Sequence, residues 1–69
     1  MFELDDYVTI VEINDQICQD TGYSEQELSG NFYIIEISST SGIGFPYFIE
    51  NENNEEVALW VGKDEIDYA

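Results

Sequence analysis

Pro46-Tyr47-Phe48-Ile49-Glu50, then Asn51-Glu52-Asn53-Asn54-Glu55, then Val57-Ala58-Leu59-Trp60-Val61: these residues decide the fold. Two runs of strand length, rich in β-branched and aromatic side chains, flank an Asn-rich polar stretch, which is the composition of a β-hairpin. Alternation along the first run sets Tyr47 and Ile49 on one face and Phe48, Glu50 and Glu52 on the other. In the second run, Leu59 with Val61 and Ala58 with Trp60 serve equally well as the inward pair.

Outward from the hairpin, Phe32 to Ile37 (FYIIEI) and Tyr7 to Ile13 (YVTIVEI) read as two further strands. Both faces of the run from Phe32 are partly apolar, as expected of a strand bent across two sheets. Lys63 to Tyr68 alternates Ile66 and Tyr68 with acids, in the manner of a short closing strand or 3₁₀ turn. Ser38 to Phe45, with its glycines and hydroxyls, suits a loop. One segment differs in kind. Ser24-Glu25-Gln26-Glu27 is a capping box, with Leu28 as the inward anchor of one helical turn and Gly30 as its terminator. The expectation is a mainly β protein, a single domain over residues 1–69. It forms a small barrel of about five antiparallel strands with one short helical turn at Ser24 to Leu28.

That order of pieces resembles the small SH3-like barrels found as stand-alone domains in phage and mobile-element proteins. The pieces are Tyr7 to Ile13, Gly22 to Gly30, the Glu-Ile close of Phe32 to Ile37, Phe45-Pro46-Tyr47 to Glu52, Trp60, and Asp64-Glu65-Ile66. The resemblance covers nearly the whole chain and departs at Asn31-Phe32, where such barrels more often carry a basic residue and a small one. It implies an interaction module with no common reaction. A second, local likeness joins Ile13-Asn14-Asp15 and Thr21-Gly22-Tyr23-Ser24 to Glu27-Leu28-Ser29-Gly30. This stretch is similar to part of PAS sensor domains, but nothing after Gly30 supplies their long helix, and without it there is no ligand pocket.

Composition sets the sign of any partner. The 69 residues carry sixteen carboxylates, a single Lys63, no Arg and no His, for a net charge of −15. Nothing is present to neutralise phosphates, so direct nucleic-acid binding is excluded, and an anionic membrane surface is disfavoured on the same ground. No run approaches the roughly 18 apolar residues of a spanning helix. Met1 to Asp6 lacks a basic leader region, so a cytoplasmic product is the expectation. Nor does the charge mark disorder: ten aromatics, nine Ile and four Val are too many for a chain that stays unfolded. A domain this size buries only about 60% of the surface its unfolded chain exposes, so the core is thin.

Catalysis has little to build on. Cys18 is the one thiol, flanked by Asp15 and Asp20 and far from any sequence signal for a base, and reads as an inert, partly buried side chain. Paired carboxylates need a cleft that so short a chain barely encloses. An EF-hand loop from Asn51 would need Gly at position 56 and Glu at position 62, whereas Glu56 and Gly62 stand in the inverted order. No catalytic residue, metal site or cofactor is expected, and the chain is not read as an enzyme.

The surplus charge therefore points to binding. Self-repulsion destabilises a compact domain, and a net charge of about 2 to 8 already keeps a small one dispersed. Glu50 and Glu52 lie about 6.6 Å apart along a strand, Glu55 and Glu56 continue the row through the hairpin, and Asp64, Glu65 and Asp67 add a cluster at the closing turn. Such a row can meet the Lys and Arg side chains that otherwise contact phosphates. The partner expected is a basic, nucleic-acid-binding protein, the alternative being a generic interaction module whose acidity reflects its host. Ten aromatics exceed what the barrel hides. Phe45 and Phe48 are the first choices for an exposed recognition patch or a homodimer interface.

Overall fold

The computed structural model describes residues 2–38 and 46–69. Its strands are β1 (Tyr7–Ile10), β2 (Phe32–Ile37), β3 (Tyr47–Asn51), β4 (Asn54–Val61) and β5 (Ile66–Tyr68), with helices α1 (Asp15–Thr21) and α2 (Glu25–Leu28) between β1 and β2. All pairings are antiparallel, and the five strands form one sheet in the order β4-β3-β2-β1-β5. A mainly β, barrel-like fold is thus what the strand-length runs produce.

The sheet curls because β2 bends. Its partners run Ile34↔Ile49, then Glu36↔Phe48, so Ile35 is an extra residue opposed by none on β3. A bulge of this kind increases local twist and exchanges the faces on either side of it. Before the bulge Phe32 and Ile34 point into the core; after it Glu36 shares the outer face with Phe48. The double-sided apolar pattern of this strand has that bulge as its cause.

The concave side is filled by Val8 and Ile10 of β1, Phe32 and Ile34 of β2, Ile49 of β3, Val57, Leu59 and Val61 of β4, Ile66 of β5 and Leu28 of α2. Leu59 and Val61 are therefore the inward pair of β4, and Ala58 and Trp60 face out. Among the described residues no polar or charged side chain is buried. All sixteen carboxylates lie on the surface of a body measuring 28 × 23 × 19 Å.

Three expectations change. β1 ends at Ile10, not Ile13, although the Val11 amide still bonds the Glu65 carbonyl at 2.9 Å. A second helix, α1, occupies part of what reads as a long loop: the Asn14 side chain caps the Ile17 amide at 3.0 Å, and Gly22, at φ 78°, ends it by donating to the Cys18 carbonyl. The polar turn narrows to Glu52-Asn53, held by the Asn51 side chain accepting from the Asn53 amide at 2.8 Å. The loop expected from Ser38 to Phe45, with Phe45 as a candidate for exposure, lies beyond Ser38 outside the described residues.

Candidate functional site

β4 is an edge strand, and edges attract other chains unless they are covered. Tyr23, in the short link between the helices, covers this one. Its hydroxyl accepts from the Ala58 amide at 3.3 Å and shares its proton between the Glu56 and Ala58 carbonyls, each at 3.1 Å. The capping box next to it forms as expected, with Ser24 accepting from the Glu27 amide at 3.1 Å and Glu27 accepting from the Ser24 amide at 2.9 Å. Leu28 is fully buried beneath it. The β1–β2 connection thus crosses from β1 to the opposite edge of the sheet and is anchored there.

The carboxylates singled out in the sequence separate into distinct places. Glu50, Glu52 and Glu55 share a shallow hollow of about 310 Å³ with Tyr33 at the β3–β4 hairpin. Glu50 pairs across the strands with Tyr33 on one side and Ala58 on the other, and the Glu52 amide is tied to the Asn31 carbonyl at 3.1 Å. Glu56 does not line this hollow. Between the pairs Glu50↔Ala58 and Asn51↔Asn54, β4 carries Glu55, Glu56 and Val57 against nothing on β3. This interruption carries the Glu56 backbone toward the Asn54 side chain and the Tyr23 hydroxyl. Asp67 stands on β5 opposite Thr9.

Asp64 and Glu65 belong elsewhere. They line a hollow of about 290 Å³ against α1, with Val11, Glu12 and Asp20. A neighbouring hollow of about 440 Å³ shares Ile17, Asp20 and Glu65 with it and extends to Trp60 and Tyr23. The two hollows adjoin through these shared residues and form a groove against α1 lined by both aliphatic and acidic side chains. The strand pattern does not point to it, because α1 lies within what reads as a long loop; the signal for α1 is at its ends, Asn14 three residues before Ile17 and Gly22 closing it.

Aromatic pairs complete the surface. Tyr7 and Tyr33 pack at 4.4 Å between ring centroids with their hydroxyls 2.6 Å apart, and Phe48 packs on Trp60 at 5.0 Å. Cross-strand pairing is thus the first role of these rings. Phe48 is half-buried, and the larger exposed aromatic surface is that of Trp60, Tyr7 and Tyr68. The Tyr7 hydroxyl is pushed up to about 12 by its hydrogen bond with Tyr33, then by desolvation, then by the Glu52 carboxylate nearby.

Cys18 is half-buried and packs against the core. Among the described residues no three acids or thiols converge as a metal site, and no helix is long and apolar enough to cross a membrane. No family model matches the chain, and no curated protein or solved structure is similar to it at a significant level.

Proposed function

We propose that this chain is a non-enzymatic acidic binding protein, an inhibitor of the phage type that mimics nucleic acid and occupies the basic groove of a nucleic-acid-processing host or defence enzyme. A CRISPR effector, a restriction enzyme or a repair enzyme is the kind of target meant. The observation that supports it is the distribution of charge: sixteen carboxylates on the surface of a small sheet framework with one lysine to offset them. Glu50, Glu52 and Glu55 around one hollow supply a concentrated patch, and exchanging the ions held by a basic groove for these carboxylates favours the complex. Attraction at long range makes association fast and salt-sensitive. Action on such an enzyme places the protein in the cytoplasm beside its target.

The test uses purified enzymes of those classes and the full chain. Binding should be displaced by duplex DNA, weakened steeply by 0.5 M salt, and lost when Glu50, Glu52, Glu55 and Glu56 are changed to Gln. Binding that survives both the salt and the four changes would refute the mimicry. The second reading, a generic interaction module without mimicry, is favoured by one observation, the exposed Trp60 stacked on Phe48. It predicts binding that resists salt and fails on Trp60→Ala.

A further inference from the structure

The groove along α1 combines features that the hairpin hollow lacks. Ile17, Asp20 and Glu65 line both of its hollows, and Trp60, with 43% of its surface exposed, lines the larger. One oxygen of each acid is already engaged: Asp20 accepts from the Gln16 amide group at 3.0 Å, and Glu65 accepts from the Gly62 backbone at 2.9 Å. Among the described residues, their second oxygens have no hydrogen-bond partner. Two acids and Trp60 around a hollow whose lining includes the aliphatic Ile17 describe the complement of a planar cation on an aliphatic stem.

We propose that this groove takes an arginine side chain presented by the basic partner, with the guanidinium between Asp20 and Glu65 and its flat face toward Trp60. The inference rests on the reading of a basic protein partner and names the anchor by which that partner is held. Arginine fits better than lysine for physical reasons. Its guanidinium is planar, stacks on aromatic faces, gives up its hydration more readily than an ammonium, and offers donors in a fork that two carboxylates can receive. Its stem covers apolar surface such as Ile17 while the charge stays at the rim. The hairpin hollow, lined by Tyr33 among Glu and Asn side chains, offers charge without an aliphatic lining residue.

Trp60 is the only tryptophan in the chain, so its emission reports on the groove directly. The probe is the peptide Gly-Gly-Arg-Gly-Gly, blocked at both ends, compared with its lysine and citrulline counterparts and titrated into the full chain. Tryptophan emission and amide chemical shifts are followed together. The arginine peptide should change Trp60 emission saturably, move the amides of Asp20, Gly62 and Glu65, and bind at least about threefold tighter than the lysine peptide. Citrulline, which keeps the shape and loses the charge, should do neither. Asp20→Asn and Glu65→Gln preserve the internal hydrogen bonds and should each weaken the arginine peptide by about fivefold or more. Glu50→Gln with Glu52→Gln should leave it unchanged.

Equal binding of arginine and lysine with shifts spread over the whole acidic surface would overturn the proposal. So would unchanged binding in the doubly substituted Asp20 and Glu65 variant, provided its amide spectrum outside the groove is that of the folded chain. The outcomes separate the two readings. If the hairpin substitutions abolish enzyme binding while the groove ignores arginine, mimicry stands and the anchor falls; if the groove selects arginine while enzyme binding survives the hairpin changes and high salt, mimicry falls alone.

Discussion

The two helices differ in a way that inverts the usual relation between length and permanence. α1 has seven residues and buries none of them, whereas α2 has four and carries Leu28, which is fully buried. A single turn earns its place through one anchor, since short helices have no stability of their own in water. α1 instead leans on the core through half-buried Ile17 and Cys18 and through good ends, Asn14 before it and Gly22 after it. α2 therefore belongs to the core, and α1 is a wall laid against it. A wall is what a binding groove needs.

Removing the anchors tests that distinction most strongly. Leu28→Ala should cost about 3 kcal/mol, the usual loss for a fully buried leucine that leaves a cavity, while Ile17→Ala at a half-buried position should cost about 1 kcal/mol. Urea unfolding of both variants provides the measurement. Equal losses would mean that α1 is as deeply integrated as α2 and that the contrast is mistaken.

The helix ends come next in size. Gly22→Ala places a Cβ where φ is 78° and should cost about 1 kcal/mol from backbone strain alone, because nothing lies within 4 Å of the added carbon. Asn14→Ala and Ser24→Ala should each cost about 1 kcal/mol as well. Their local effects should differ. Hydrogen exchange after Asn14→Ala should accelerate in α1 with the sheet still protected, whereas Ser24→Ala, next to the buried Leu28, should be felt in β2. Uniform acceleration after both would make the two helices one cooperative unit.

What the sequence disclosed follows the same line between anchored and leaning elements. The run from Phe32 to Ile37 and the capping box at Ser24 are legible because each leaves a residue-level signature: a strand-length run of β-branched and aromatic side chains in one case, reciprocal polar ones in the other. α1 is hard to read because amphipathic periodicity measures burial, and this helix has no buried residue to register. The carboxylates of the hairpin can be placed by strand spacing only as far as Glu50, because β3 ends at Asn51 and Glu52 lies in the turn. Beyond it the irregular pairing of Glu55 to Val57 breaks the period of two on which such placement depends. The groove is illegible because Asp20 and Glu65 are distant in sequence and line the same hollows only once α1 has formed.

The strands provide a control remote from both helices. Because the Tyr7 hydroxyl is held near 12 in the folded chain and titrates near 10 when unfolded, the folded state keeps a proton that the unfolded state releases. Stability from the Tyr7–Tyr33 pair should thus be complete below pH 10 and disappear as pH rises toward 12. Thermal melts of the native chain and Tyr7→Phe across that window should converge as pH rises. Parallel curves would show that the pair is not a folded-state hydrogen bond.

The smallest predicted change in stability bears most directly on function. α1 has no basic residue in its last turn, and Asp20 stands there instead, where the helix already presents unpaired carbonyls and partial negative charge. An acid at that end is unfavourable, and Asn at the same position would keep the bond from Gln16 while removing the repulsion. Asp20→Asn should therefore raise stability by roughly 0.3–1 kcal/mol, and more at low salt than at high salt. The same change should weaken arginine binding in the groove. A gain in stability coupled to a loss of binding would show that the charge is kept at a structural cost for a partner's cation. A loss of stability on this substitution would instead make Asp20 part of what holds α1 in place, and α1 would then resemble α2 more closely than its exposure implies.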